Sequence, residues 1–266
     1  SGAKCWTLHT PALVGPRLPR DTRFRSTARL ALGRRAPLRF NPPMPSDPGL
    51  FHTIYTTRAL RRFKPDPVPD AVLFQLFDAA IRASSGQNAQ DWRFIIIRDA
   101  GIKPQLREWA GGGWKRYSAR YGSDEDIKAL PRNQRLSLLS VRALAMHLDT
   151  VPVIVAVLGM RGRHSTPGGS PFPGVQNFQL AARAMGLGSS IFNLPMREQL
   201  NQMLAIPENN QLYCLIPLGY PTDNQGRLNR KPVKSVVYSE RFGESWPFAA
   251  EQPDDGWADR WLPDQP

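Results

Sequence analysis

The chain is short of cysteines, metal-binding histidine patterns and long apolar runs, and each shortage removes a class of protein. Only Cys5 and Cys214 occur in 266 residues, one near the amino terminus and one inside the apolar run 212–216. A structural disulfide is therefore not expected, and a reducing cytoplasm is the default setting. The four histidines (His9, His52, His147, His164) share no metal-ligand spacing, so no metal is expected. No apolar run approaches the roughly 20 residues of a membrane span. The longest, 94–97 and 151–158, have the length of buried strands. The dinucleotide fingerprint is missing, because Gly186-Leu187-Gly188 follows a helical pattern instead of opening one. There is no Walker A sequence and no G-x-S-x-G elbow.

Acidic residues are scarce at the amino end. Residues 1–43 hold nine Lys/Arg against Asp21 alone, which places +8 of the formal +13 there and leaves +5 for the other 223 residues. The bulk of the chain is only mildly basic, and the basic stretch lacks the interleaved aromatics of a stacking platform, so no nucleic acid is expected as a partner. The segment 1–43 reads as an Arg/Pro-rich tail, disordered or non-native, with Ser1-Gly2 resembling a tag scar; an Arg-rich targeting segment is the alternative. Met44-Pro45-Ser46-Asp47 reads as a natural start before a capped helix. The expected organisation is a tail (1–43), one domain (44–243) and a carboxyl-terminal extension (244–266) that carries Trp246, Trp257 and Trp261.

After Met44 the pattern alternates between helix and strand. Asp70 opens an amphipathic helix with Val72, Leu73, Leu76, Phe77, Ala80 and Ile81 on one face, stopped at Ser84-Ser85-Gly86. Residues 93–98 read as a buried strand. Residues 103–110 and 124–149 read as helices separated by a break at Gly111-Gly112-Gly113. A second strand (151–158), a Gly/Pro/Ser loop (161–173), a helix (174–185), a short strand (189–193), a helix (196–204) and a third strand (212–218) follow.

Three separated segments carry the chemistry. Arg58, Arg61 and Arg62 lie just before Pro65 and Pro67, which keep the chain extended. Guanidinium forks suit phosphate, although these residues alone favour a solvated basic turn. Ser84, Ser85, Gly86 and Asn88 combine small and amide residues that allow close approach of a ligand, or simply cap a helix. Arg227 to Pro232, containing Arg230, is a basic loop after a strand. Trp114, Tyr117 and Tyr121, spaced by three and four, suit either stacking on an aromatic acceptor or a buried helix face.

In order and spacing these segments resemble the FMN-dependent nitroreductase family. The matching runs are 58–63, 67–69 and 83–92, then Val175 to Gly188, then Leu218-Gly219-Tyr220-Pro221 and Arg230-Lys231-Pro232, spanning about residues 50–240. The resemblance implies an α+β fold with a mixed sheet flanked by helices, and a homodimer with FMN at the subunit interface. It implies that Arg58, Arg61 or Arg62 and Arg230 hold the phosphate, and that Ser84, Ser85, Gly86 and Asn88 lie near the ribityl chain and ring. Ile191 and Phe192 would pass the isoalloxazine. Thr57-Arg58-Ala59 stands where the family often has Arg-Arg-Ser, so phosphate binding would lean on Arg61, Arg62 and Arg230. The implied activity is a ping-pong reduction of a small aromatic or quinone-like acceptor by NADH or NADPH, with no catalytic side chain assigned. A flavin store or sensor without turnover shares every one of these motifs.

Overall fold

The computed structural model describes residues 49–160, 171–193, 196–222, 228 and 230–251. The expectations for 1–43, for a start at Met44, for most of the 161–173 loop and for Trp257 and Trp261 lie outside them. The helices are α1 (Gly49–Thr56), α2 (Asp70–Ile81), α3 (Ile102–Ser118), α4 (Asp124–Ala129), α5 (Arg132–Met146), α6 (Pro171–Ala184), α7 (Arg197–Met203) and α8 (Pro247–Ala250). The strands are β1 (Arg93–Ile97), β2 (Val153–Met160), β3 (Gly188–Ser189) and β4 (Asn210–Gly219), in sheet order β1-β2-β4-β3. All the strand ladders are antiparallel. The mixed character comes from one isolated parallel bridge, Ala59 to Ser189.

The sheet divides the core into two layers because side chains alternate along a strand. Val153, Val155 and Val157 of β2, with Cys214, Ile216 and Leu218 of β4, pack against Leu73, Leu76 and Ala80 of α2 and Phe178 and Ala182 of α6. Ile154, Ala156 and Leu158, with Leu212 and Leu215, face Leu106, Ala110 and Trp114 of α3 and Leu138 and Leu144 of α5. Both faces of β2 and β4 are covered, which is why these strands read as unbroken apolar runs. Each buried Val, Leu, Ile or Phe among them contributes about 1.5–3 kcal/mol.

Several boundaries differ from the sequence reading. Helix α3 runs straight through Gly111–Gly113. Three helical glycines cost about 1 kcal/mol each relative to alanine. Burial of Ala110 and Trp114 on either side offsets that cost. The expected helix 124–149 is two helices, because Pro131 cannot continue one and sits as the cap of α5. A reciprocal capping box between Ser123 and Asp126 opens α4. Helix α2 ends at Ile81, not at Gly86, with Arg82 as its cap. Strand β1 is an edge strand, and Ile96 is 45% exposed, so it is not the buried strand expected. Helix α6 begins at Pro171, three residues before the expected start. The expected strand 189–193 shrinks to β3 and a single bridge from Phe192 to Leu215.

Candidate functional site: an arginine cluster beside an aromatic cavity

The first motif is held as an extended segment against the end of the sheet. Leu60 N donates to Ser189 O at 2.9 Å, Lys64 N to Tyr220 O at 2.7 Å, and Thr222 N to Arg62 O at 3.3 Å. Two glycines make room for it. A Cβ on Gly188 would lie 2.8 Å from Leu60 Cδ1, and one on Gly219 would lie 3.1 Å from Phe63 Cβ. Neighbouring side chains of an extended segment point to opposite sides. Arg58 and Arg61, of opposite parity, accordingly enter different surroundings.

Arg58 joins a cationic cluster. Burial, followed by the charges of Arg230 and Arg183, holds its guanidinium below the usual range. Arg230 was expected there; Arg183, near the end of α6, was not. Arg183 Nε donates to Thr56 Oγ1 at 3.0 Å, and that hydroxyl donates to His52 O at 2.8 Å, so α1 orients the guanidinium. Burial lowers the Arg183 pKa as well. Its signal was present in sequence, as an arginine inside the otherwise apolar Ala181-Ala182-Arg183-Ala184 stretch of an amphipathic helix. Arg62 is exposed.

Arg61 instead lines a cavity of about 630 Å³. Its Nη1 donates to Ser140 Oγ at 3.0 Å, which in turn donates to Ser137 O at 2.7 Å, tying the guanidinium to α5. Burial holds its pKa below the usual arginine range. Trp114 and Tyr117 of α3 form one wall, Val141 and Ala145 of α5 another, and Ile191, Phe192 and Asn193 a third. Phe192 is fixed by two backbone hydrogen bonds with Leu215, at 2.8 and 2.9 Å. Trp114 is buried, while Tyr117 is 40% exposed and its hydroxyl lies 3.2 Å from that of Tyr121. This aromatic series therefore both packs the core and faces the cavity. Four arginines line the cavity (Arg61, Arg116, Arg120 and Arg197), and no Asp or Glu does so among the described residues. The sequence reading placed residues 111–135 on the substrate side through Trp114, Tyr117 and Tyr121 and did not single out Arg116 or Arg120.

Ser84, Ser85, Gly86 and Asn88 form a turn that does not line this cavity. Ser85 Oγ accepts from Gln90 N at 3.1 Å, and Asn88 Oδ1 accepts from Gln90 Nε2 at 3.1 Å. Gln87, Asn88 and Gln90 are left-handed, at φ 53°, 54° and 47°. That conformation costs a non-glycine residue roughly 1–2 kcal/mol, and such strain concentrates at ligand clamps. Gly86 has nothing within 4 Å of a Cβ position.

Cys214 is buried in the core, and burial pushes its thiol up to about 12, which makes it a packing group and not a nucleophile. The described residues contain no group of three His, Cys, Asp or Glu able to hold a metal, and no helix among them is long and apolar enough to cross a membrane.

A cationic cluster around Arg58 and an aromatic-walled cavity lined by Arg61 thus flank one extended segment. The chain belongs to the Nitroreductase family, whose model matches residues 54–220. It is 30% identical over 190 residues to a protein named NADH dehydrogenase from Thermus thermophilus, covering 68% of this chain and 90% of that one. It is 27% identical over 179 residues to an iodotyrosine deiodinase of Thermotoga neapolitana, covering 66% and 90%. Among solved structures, oxidized iodotyrosine deiodinase bound to FMN and 3-iodo-L-tyrosine superposes with a TM-score of 0.60 at 25% identity, covering 73% of this chain and 100% of that chain. The FMN-dependent nitroreductase NfnB of Mycobacterium smegmatis, in complex with NADPH, shares the fold with a TM-score of 0.56 at 20% identity, covering 73% and 98%.

Proposed function

We propose that this protein is an FMN-dependent oxidoreductase that uses NADH or NADPH to reduce a small aromatic or quinone-like acceptor. One observation carries the reading: segment 58–63 gives Arg58 to a cationic cluster and Arg61 to an aromatic-walled cavity. A single short stretch thus serves both ends of a flat, phosphorylated molecule. The donor set fits FMN. Arg58, Arg183 and Arg230 hold the phosphate, whose charge relieves their mutual repulsion. Arg61 presents a positive charge to the ring, which favours electrons added there. Trp114, Val141 and Phe192 keep water from that face. When bound there, FMN would supply the redox chemistry, hydride uptake from the nicotinamide and electron delivery to an acceptor in a ping-pong cycle.

The working unit is a homodimer. Ser84, Ser85, Gly86 and Asn88 lie outside the cavity of their own chain, and we assign them to the ribityl chain and ring held by a second copy. Exposed apolar side chains support a second copy: Phe242 is 91% exposed and Phe74 74%. Trp246, 40% exposed, adds to the apolar surface assigned to that contact. A free, buried Cys214 suits a cytoplasmic setting. Removal of halogen from an aromatic ring is a second reading, supported by the deiodinase relatives.

The test is a visible spectrum of the purified protein before and after NADPH is added anaerobically. Flavin bands that bleach are expected. Bands that persist support a flavin store without turnover, and no bands after incubation with FMN would overturn the reading.

A further inference from the structure

Two arginines elsewhere on the helices around the cavity, Arg107 and Arg142, lie near carboxylates, whereas those at its rim do not. Arg107 of α3 lies 3.8 Å from Asp149, and Arg142 of α5 lies 3.6 Å from Asp124. On the surface beyond, Arg82 pairs with Asp78 at 2.9 Å and Arg98 with Asp70 at 2.6 Å. Arg116, Arg120 and Arg197 line the cavity and make no ion pair among the described residues. Arg116 lies in the last turn of α3 and Arg120 in the 3-10 turn of residues 119–121 that follows it, and both line the cavity. Tyr117 and Trp114 sit on the same stretch of helix, so guanidinium forks rise beside an aromatic wall. A cleft lined by one sign of charge and walled by apolar groups focuses its field on whatever enters. Arg61 is already tied to Ser140, which leaves the rim arginines to choose the incoming molecule.

We propose that the acceptor taken by this cavity is an aromatic ring carrying a carboxylate or a similar anionic group and no ammonium. The ring lies against Trp114 and Phe192, and the anion lies between Arg116 and Arg120, with Arg197 adding to the field. This rests on the flavin-reductase reading and narrows it. The reason is chemical. Bidentate guanidinium pairing rewards a carboxylate, while an ammonium would meet like charges and no acceptor carboxylate among the described lining residues.

Calorimetric titration of the full chain saturated with FMN tests this with three ring-matched probes: 4-nitrobenzoate, neutral 4-nitrobenzyl alcohol and zwitterionic 4-nitro-L-phenylalanine. We expect nitrobenzoate to bind about tenfold tighter than the alcohol, the energy of one charge-assisted hydrogen bond. That margin should shrink with added salt, and the zwitterion should gain nothing over the alcohol. In the R116Q/R120Q variant the margin should disappear, with the melting temperature and the affinity for the alcohol retained. Equal affinities for the three probes, preference for the zwitterion, or a margin that survives in the variant would overturn the proposal. So would a variant that loses affinity for NADPH and not for nitrobenzoate, because the arginines would then serve the dinucleotide phosphates. Repeating the titration without added FMN separates the two failures. A spectrum without flavin removes the function proposed above, whereas the charge preference of the cavity is read from this chain's own arginines in either state.

Discussion

Arg58 and Arg61 lie three residues apart on one extended segment and meet opposite surroundings: Arg58 the charges of Arg230 and Arg183, Arg61 the hydroxyl of Ser140 and the wall of the cavity. The segment's backbone is fixed to β3 and to the end of β4, so neither side chain can exchange places with the other.

The first prediction concerns the cluster. Arg58→Ala and Arg183→Ala should each weaken FMN binding by roughly 10- to 100-fold, since a hydrogen bond to a charged group contributes about 1.5–3 kcal/mol. Titration of the apoprotein by flavin fluorescence quenching measures it. Unchanged affinity in Arg183→Ala would remove that residue from the phosphate site.

The second concerns the seat of the segment. Gly188→Ala places a methyl group 2.8 Å from Leu60 Cδ1 and 3.0 Å from Leu60 Cβ. Overpacking of this kind costs about 1–3 kcal/mol. Leu60→Ala removes the Cδ1 contact and leaves the one with Cβ, so the double variant should lose somewhat less stability than the sum of the two single ones. Strict additivity in denaturant melts would show that the contact is not the cause.

The third tests the continuity of α3. Cβ positions on Gly111 and Gly112 have their nearest neighbours at 3.7 Å (Met146 Sδ) and 3.8 Å (Arg116 Nη1), ordinary contact distances. Gly111→Ala and Gly112→Ala should each stabilise the protein by about 0.5–1 kcal/mol. The melting temperature should rise by roughly 2–4 °C. A fall would mean that the helix is interrupted there.

The fourth concerns Cys214, whose thiol burial pushes up to about 12. In a Cys5→Ser background the folded protein should not react with a thiol reagent at pH 8, and should react at once in denaturant. The sign of the linkage follows. An unfolded cysteine loses its proton near pH 8.5, while the folded one keeps it. The stabilising contribution is therefore intact below that pH and falls as pH rises toward 12. Cys214→Ala should flatten this alkaline part of the stability profile.

The sequence made the two-sided strands legible, because burial on both faces leaves continuous apolar runs such as 151–158. It also made Arg58, Arg61 and Arg230 visible as candidates, since charge is conspicuous beside prolines and at a strand end. What it hid was decided by tertiary packing. Glycine propensity argued for a break at 111–113, yet the spacing of Trp114, Tyr117 and Tyr121 already carried the helical period onward. Burial of Trp114 sided with the period. That misplaced break hid the place of Arg116 on the helix wall of the cavity. Arg183 was hidden for a different reason: what gives it meaning is its neighbour in space, Arg58, 125 positions away in the sequence.

Grip and choice are written on separate pieces of chain. The cluster draws on the sheet-edge segment, α6 and the loop containing Arg230, whereas the rim draws on α3 and α7. On the proposed roles, substitutions at the rim arginines spare the phosphate anchor. On that reading, a lineage could change acceptors at the rim arginines while the phosphate anchor is retained. The same modularity offers an engineer a library confined to one face of α3.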